Sequence, residues 1–145
     1  MKSNKIVISV FFFMTLGTSC LKETTDDRDK FIGSWYGVVN LEYIGLDYSS
    51  PKRSTQIITK GTSNPKQINI SDGLGTATAI VDGKTYTYNE FTRIDTIEGQ
   101  AISVKFTGTG SIYGNVNVVT EVGTVEFNIS GKEYVTSWSC IRYRQ

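Results

Sequence analysis

Thr76-Ala77-Thr78-Ala79-Ile80-Val81-Asp82-Gly83-Lys84-Thr85-Tyr86-Thr87-Tyr88-Asn89 reads as two alternating runs joined by an Asp-Gly turn, and it decides the fold class. Val, Ile, Thr and Tyr suit a pleated, half-buried surface, and Asp-Gly readily adopts the positive backbone angles of a tight type I′ hairpin. A two-residue turn at Asp82-Gly83 predicts Val81 opposite Lys84, Ala79 opposite Tyr86 and Ala77 opposite Tyr88. Ile80, Thr78, Thr76, Thr85, Thr87 and Asn89 then share the other face. Small residues set against large ones are how a narrow barrel fills its interior. Ala77, Ala79, Tyr86 and Tyr88 are therefore expected to point inward.

The same reasoning extends toward the C-terminus. A turn at Ser130-Gly131 pairs Ile129 with Lys132, Phe127 with Tyr134, Val125 with Thr136 and Gly123 with Trp138. Period-two continuation adds Cys140 and Arg142 to that apolar side, while Thr124, Glu126, Asn128, Glu133 and Ser137 take the opposite one. β-rich runs recur along the chain, punctuated by glycine. They predict strands over 31–44, 54–60, 66–71, 74–81, 84–92, 100–107, 111–120, 122–129 and 132–143, and helical spacing is nowhere sustained. The expected fold is all-β: a single small antiparallel barrel of about eight or nine strands over residues 31–145, with a β-sandwich as the alternative. That length supports one core and not two.

Phe31, Gly33, Trp35, Gly37, Val39, Leu41 and Tyr43 share a face of the first strand. Gly33-Ser34-Trp35 resembles the G-x-W signature of lipocalin-like (calycin) barrels, in which a basic residue of the last strand covers the tryptophan. Arg142 or Arg144 matches that residue, and Arg142, on the apolar side of its strand, is assigned the role. The resemblance implies that Gly33, Trp35 and Arg142 close the barrel, and a guanidinium on an indole face is physically sensible. The run from Asp29 to Gly37 is also similar to a group of small bacterial envelope lipoproteins.

The N-terminus carries the rest of that resemblance. Lys2 and Lys5 precede an apolar run from Ile6 to Leu16, followed by Gly17, Thr18, Ser19 and Cys20. This is the pattern of a secretory signal, too short for the roughly 20 apolar residues that span a bilayer. Leu16-Gly17-Thr18-Ser19-Cys20 resembles a lipobox, with its leucine one position early. The resemblance implies a signal peptide over 1–19 and acylation of Cys20. The partner is then a membrane reached through the lipid anchor, with the protein exported to the outer membrane or cell surface. Residues 20–30 read as an acidic, solvated tether, similar to surface-export signals of some Gram-negative anaerobes. Asp26, Asp27 and Asp29 lack the glycine turn and distal glutamate of a calcium loop.

Composition excludes several function classes. There are 15 basic and 14 acidic residues, and removing Lys2 and Lys5 leaves 13 against 14, a net charge of −1. Nothing recommends nucleic acid as a partner. The chain has no histidine, so no Ser-His-Asp or Cys-His arrangement can form. Gly73-Leu74-Gly75 and Gly108-Thr109-Gly110 open no helix and make poor phosphate cradles. Glu90, Asp95, Glu98, Glu121, Glu126 and Glu133 read as solvated edges and turns. No catalytic site, metal or cofactor is expected, and the protein is expected not to be an enzyme. Cys140, alone once Cys20 is acylated, reads as a core residue.

Two functions remain from the sequence. One is a barrel that binds a small hydrophobic or amphipathic ligand against Tyr86, Tyr88, Phe106, Phe127, Tyr134 and Trp138. The other is an interaction module presenting its outer face, or the loop from Asp47 to Arg53, to another envelope protein or to glycan.

Overall fold

The structure is a computed structural model that describes residues 25–43, 48–49, 51–73, 75–97, 99–114 and 117–145. Cys20, the apolar N-terminal run, Asp47, Ser50, Leu74 and Glu98 lie outside the described residues. A 3-10 turn at Asp27–Lys30 leads into β1 (Gly33–Tyr43), β2 (Tyr48–Ser49), β3 (Lys52–Lys60), β4 (Gln67–Ser71) and β5 (Thr76–Asp82). There follow β6 (Thr85–Tyr88), β7 (Phe91–Ile97), β8 (Gln100–Ile112), β9 (Val118–Ile129) and β10 (Lys132–Arg144).

Neighbours run β10-β9-β8-β6-β5-β4-β3-β1, and β1 pairs back onto β10 from Trp35↔Arg144 to Leu41↔Trp138. The eight strands thus close an antiparallel barrel, the first of the two expected architectures. The two-residue β2 hangs on β1, and β7 pairs with β8.

The second predicted hairpin is observed residue for residue, from Ile129↔Lys132 to Gly123↔Trp138. Ser130 and Gly131 both take positive φ, 52° and 83°, as a type I′ turn requires. The first is displaced by one position. Asp82 pairs with Thr85, so Gly83-Lys84 makes the turn, and Ala79 faces Tyr88 while Val81 faces Tyr86. Only Gly83 has positive φ there, and glycine at the first central position is what the type II′ class prefers. Moving the turn by one residue shifts the pairing by two. Each side chain therefore keeps its face, and Ala77, Ala79, Val81, Tyr86 and Tyr88 are all buried.

Two other expectations are corrected. Gly108 and Gly110 mark no break, because β8 runs unbroken through them. Gly110 is required by close approach: a Cβ there would lie 2.1 Å from Cζ of Tyr86. Glu121 likewise sits inside β9 and not at a turn.

The run predicted as one strand over 84–92 is β6 continued as β7 through a β-bulge. Thr87 faces Thr109 and Phe91 faces Phe106. Tyr88, Asn89 and Glu90 therefore oppose only Thr107 and Gly108. Asn89 anchors the bulge to β5, its N–H donating to the Thr78 carbonyl at 2.8 Å and its side chain to Thr78 Oγ1 at 2.7 Å. One extra residue reverses the alternation. Even-numbered Tyr86 and Tyr88 point inward on β6, whereas odd-numbered Phe91, Arg93, Asp95 and Ile97 are the more buried set on β7.

The barrel is shut at the end where β1 begins and β10 finishes. Phe31 and Trp35 are fully buried there, and Trp35 Nε1 donates to the Phe31 carbonyl at 2.6 Å. The expected basic cover is present but is the other candidate. Arg144 places its guanidinium 4.7 Å from the Trp35 ring centre and donates to the carbonyls of Ile32 and Lys30. Arg142 lies one pleat repeat further in, inside the barrel, so its assignment as the closure residue does not hold.

The last part of the acidic segment is ordered and not a solvated spacer. Asp26 caps the 3-10 turn and pairs with Arg28 at 2.7 Å, while Lys60 reaches Asp26 at 3.0 Å and Asp29 at 2.6 Å. Arg28 donates to the carbonyls of Gly61 and Gln67. These contacts dock the segment on the closed end.

Candidate functional site

Above the Trp35 floor the interior holds a buried polar cluster. Glu121, fully buried on β9, receives Tyr86 Oη at 2.6 Å and Tyr88 Oη at 2.5 Å on one carboxylate oxygen. Its other oxygen takes Arg142 Nε at 2.5 Å. Arg142 Nη1 donates to Ser54 Oγ at 2.9 Å. Room for the guanidinium stem comes from Gly37, where a Cβ would lie 2.8 Å from Arg142 Cγ. The pairing Gly37↔Arg142 thus sets a residue without a side chain opposite one of the longest.

The electrostatics follow from burial. Desolvation, reinforced by the Glu121 carboxylate, pushes both tyrosine hydroxyls well above their ordinary range. Burial disfavours charge on Arg142, but Glu121 beside it more than offsets this and raises its pKa. Cys140, next inward residue along β10, is pushed up to about 12, chiefly by burial. It is therefore an inert core thiol.

Hydrogen-bond direction then propagates to the cavity wall. Tyr88 donates its only hydroxyl proton to Glu121, so it can only accept from Gln56, whose Nε2 lies 3.4 Å away. This orients the amide, and Gln56 Oε1 is left buried without a hydrogen-bond partner.

Arg142, Gln56 and Tyr88 form the inner end of a cavity of about 1020 Å³. Val39, Leu41, Phe91, Phe106 and Trp138 supply its apolar wall, and Lys52, Arg53, Asp72, Arg93 and Asp95 its charged part. It opens where β3 loses its neighbour, since β3 pairs with β4 only from Ile57 to Lys60. Its aromatic side is continuous. Phe91 stacks on Phe106 at 5.2 Å, and Tyr88 meets Phe91 at 5.8 Å and Trp138 at 6.0 Å.

Of the six aromatic residues expected to bind ligand, Tyr88, Phe106 and Trp138 line this cavity. Tyr86 is sealed beneath it, with its ring edge against Phe31 at 5.0 Å. Phe127 and Tyr134 stack on each other at 5.2 Å without lining the cavity. In the loop expected to contact partners, Tyr48–Ser49 form β2, whereas Lys52 and Arg53 begin β3 at the cavity edge.

Glu121 is the residue that the sequence reading placed wrongly, as a solvated carboxylate. Its signal was available: stepping back in twos from Phe127 through Val125 and Gly123 reaches Glu121 on the inner face. Asp95 was also assigned to solvent, and the bulge turns it inward. Glu126 and Lys105 do pair on the outside at 3.2 Å, as expected for that face.

No protein-family model matches the chain, and no curated protein is similar to it. Among solved structures, the chain is similar to an S-type phycobiliprotein lyase from Guillardia theta, at 10% identity and a TM-score of 0.47. The match covers 81% of this chain and 90% of that one. The expectation that this chain is not an enzyme is withdrawn. That expectation leaned on the missing histidine. A carboxylate, a guanidinium and two phenols meet around Glu121, so the lack of histidine does not by itself exclude acid–base chemistry.

Proposed function

We propose that the barrel binds a small amphipathic molecule in the cavity above the Glu121 cluster. The observation that carries this reading is a cavity of about 1020 Å³ with a stacked aromatic wall and a polar inner end. Pockets for small organic ligands run to about 300–1,000 Å³, mostly apolar with a few fixed polar groups. A chain that needed only a packed core would fill such a space, because interiors are ordinarily packed as closely as organic crystals. Gln56 Oε1 supports the same reading, since a buried acceptor without a partner is costly until something donates to it.

Native mass spectrometry of the protein, purified gently from its own source, tests the reading. One extra mass per chain that is lost on denaturation supports it and identifies the ligand. A bare chain that also fails to bind any added amphiphile overturns it.

The anchor belongs to the same proposal. With Cys20 acylated and the Asp26–Lys30 segment docked on the closed end, the cavity faces away from the membrane. Metabolic labelling with a palmitate analogue, lost in Cys20→Ser, is the expected result. Equal labelling of the variant would remove the anchor from the proposal.

A further inference from the structure

The bulge on β7 brings a basic side chain to the cavity under unusual conditions. Arg93 lines the cavity with its guanidinium 4.3 Å from the Phe106 ring centre. Asp72 and Asp95 hold its two terminal nitrogens from opposite sides, each at 3.4 Å. Those distances exceed the 2.7–2.9 Å usual for charge-assisted bonds. Its Nε is buried and has no partner. Arg93 is thus fixed in orientation by a ring and two carboxylates, yet under-bonded at all three kinds of nitrogen.

Charge at the rim points the same way. Arg142 is committed to Glu121, which leaves Lys52, Arg53 and Arg93 against Asp72 and Asp95. Three positive charges face two negative ones. Lys52 lies 3.9 Å from Asp95, again a long contact, and half of its side chain is exposed.

We propose that Arg93 is the head-group receptor of this site and that the ligand is an anionic amphiphile. Its oxyanion bonds Arg93, with Lys52 beside it, and its apolar body lies along Phe91, Phe106 and Trp138. An oxygen between Nε and a terminal nitrogen meets the planar fork that guanidinium offers to carboxylates. The proposal rests on the ligand-binding reading above and adds the chemistry of the bound molecule. A cationic amphiphile would have to separate Asp72 and Asp95 from Arg93 and leave that arginine buried among rings.

The test uses the purified protein and three probes of one chain length: decanoate, decanol and decylamine. Binding is followed through Trp138 fluorescence and by calorimetry at low salt. Decanoate is expected to bind about tenfold or more tightly than decanol, the scale of one charge-assisted hydrogen bond. Arg93→Gln should abolish that preference, with an unaltered urea-unfolding midpoint showing that the variant is folded. Arg93→Lys, which keeps the charge and loses the fork, should retain part of it. Equal binding of decanoate and decanol by the unaltered protein overturns the head-group assignment and leaves the cavity reading standing. A preference for decylamine overturns it in favour of the two aspartates. Failure of all three probes to bind overturns both.

Discussion

Replacing Glu121 by Gln tests whether the interior cluster is as dry as it looks. Glu121 is fully buried and its partner Arg142 is 3% exposed at the side chain. The glutamine oxygen can still accept both tyrosine hydroxyls, which forces its NH2 group toward Arg142 Nε. Two donors then face each other, and the guanidinium keeps only its contact with Ser54. Removing one partner of a buried ion pair costs about 3–5 kcal/mol, because the remaining charge is left uncompensated. Against a total stability of about 5–15 kcal/mol, this is a large fraction. The midpoint of thermal unfolding should fall by on the order of 10–20 °C. Urea unfolding followed by tryptophan emission gives the free energy. The double variant Glu121→Gln/Arg142→Met removes the stranded charge and should recover a large part of the loss. A cost below about 1 kcal/mol for the single variant, the level of an exposed pair, would refute the reasoning. So would a double variant no more stable than the single one.

Gly110→Ala forces a methyl group onto the buried Tyr86 ring and should cost about 1–3 kcal/mol or more; an unchanged unfolding midpoint would mean that the ring is free to move. Arg144→Ala should cost about 1–3 kcal/mol through the lost stacking and carbonyl contacts, and should expose Trp35 to water. If its emission spectrum stays where it was, Arg144 is not the cover. Cys140 should resist a disulfide reagent at pH 8 in the folded protein and react promptly in denaturant, whereas rapid labelling of the native state would contradict its burial. The folded state holds the Cys140, Tyr86 and Tyr88 protons more tightly than the unfolded chain does. Stability from these groups is therefore complete below about pH 8.5, the ordinary thiol value, and is lost as pH rises toward 12 and beyond. An alkaline limb that stays flat above pH 10 would argue against their burial.

Much of the architecture was legible because it depends on parity. Alternation placed Ala77, Ala79, Tyr86, Tyr88, Trp138 and Cys140 on the inner face, and an error of one residue in the first turn left that result intact. G-x-W near the start of the domain located the closed end. Glycine was the misleading signal. Gly108 and Gly110 looked like punctuation, but Gly110 makes room for Tyr86 of the neighbouring strand, and Gly108 for the Val122 carbonyl and for Trp138, two strands away. The site was less legible than the fold for two reasons. Glu121 looked like a strand boundary because charge usually marks one, and only counting through Gly123 brings it inside. Arg93 and Asp95 could not be placed by alternation at all, since a bulge changes the parity without any residue type that announces it.

That parity change makes the character of the mouth depend on how the backbone passes three residues. Were the bulge flattened with Asn89 and Glu90 both kept, β7 would continue the alternation of β6. Thr92, Ile94 and Thr96 would then turn inward, and Arg93 and Asp95 would face water. Deleting one residue of the bulge would instead leave a regular strand with Phe91, Arg93 and Asp95 still inward, so the charged entrance tolerates that loss. Two barrels of equal length, one bulged here and one not, would present opposite residues to the cavity, a difference that comparing lining residues column by column would not reveal.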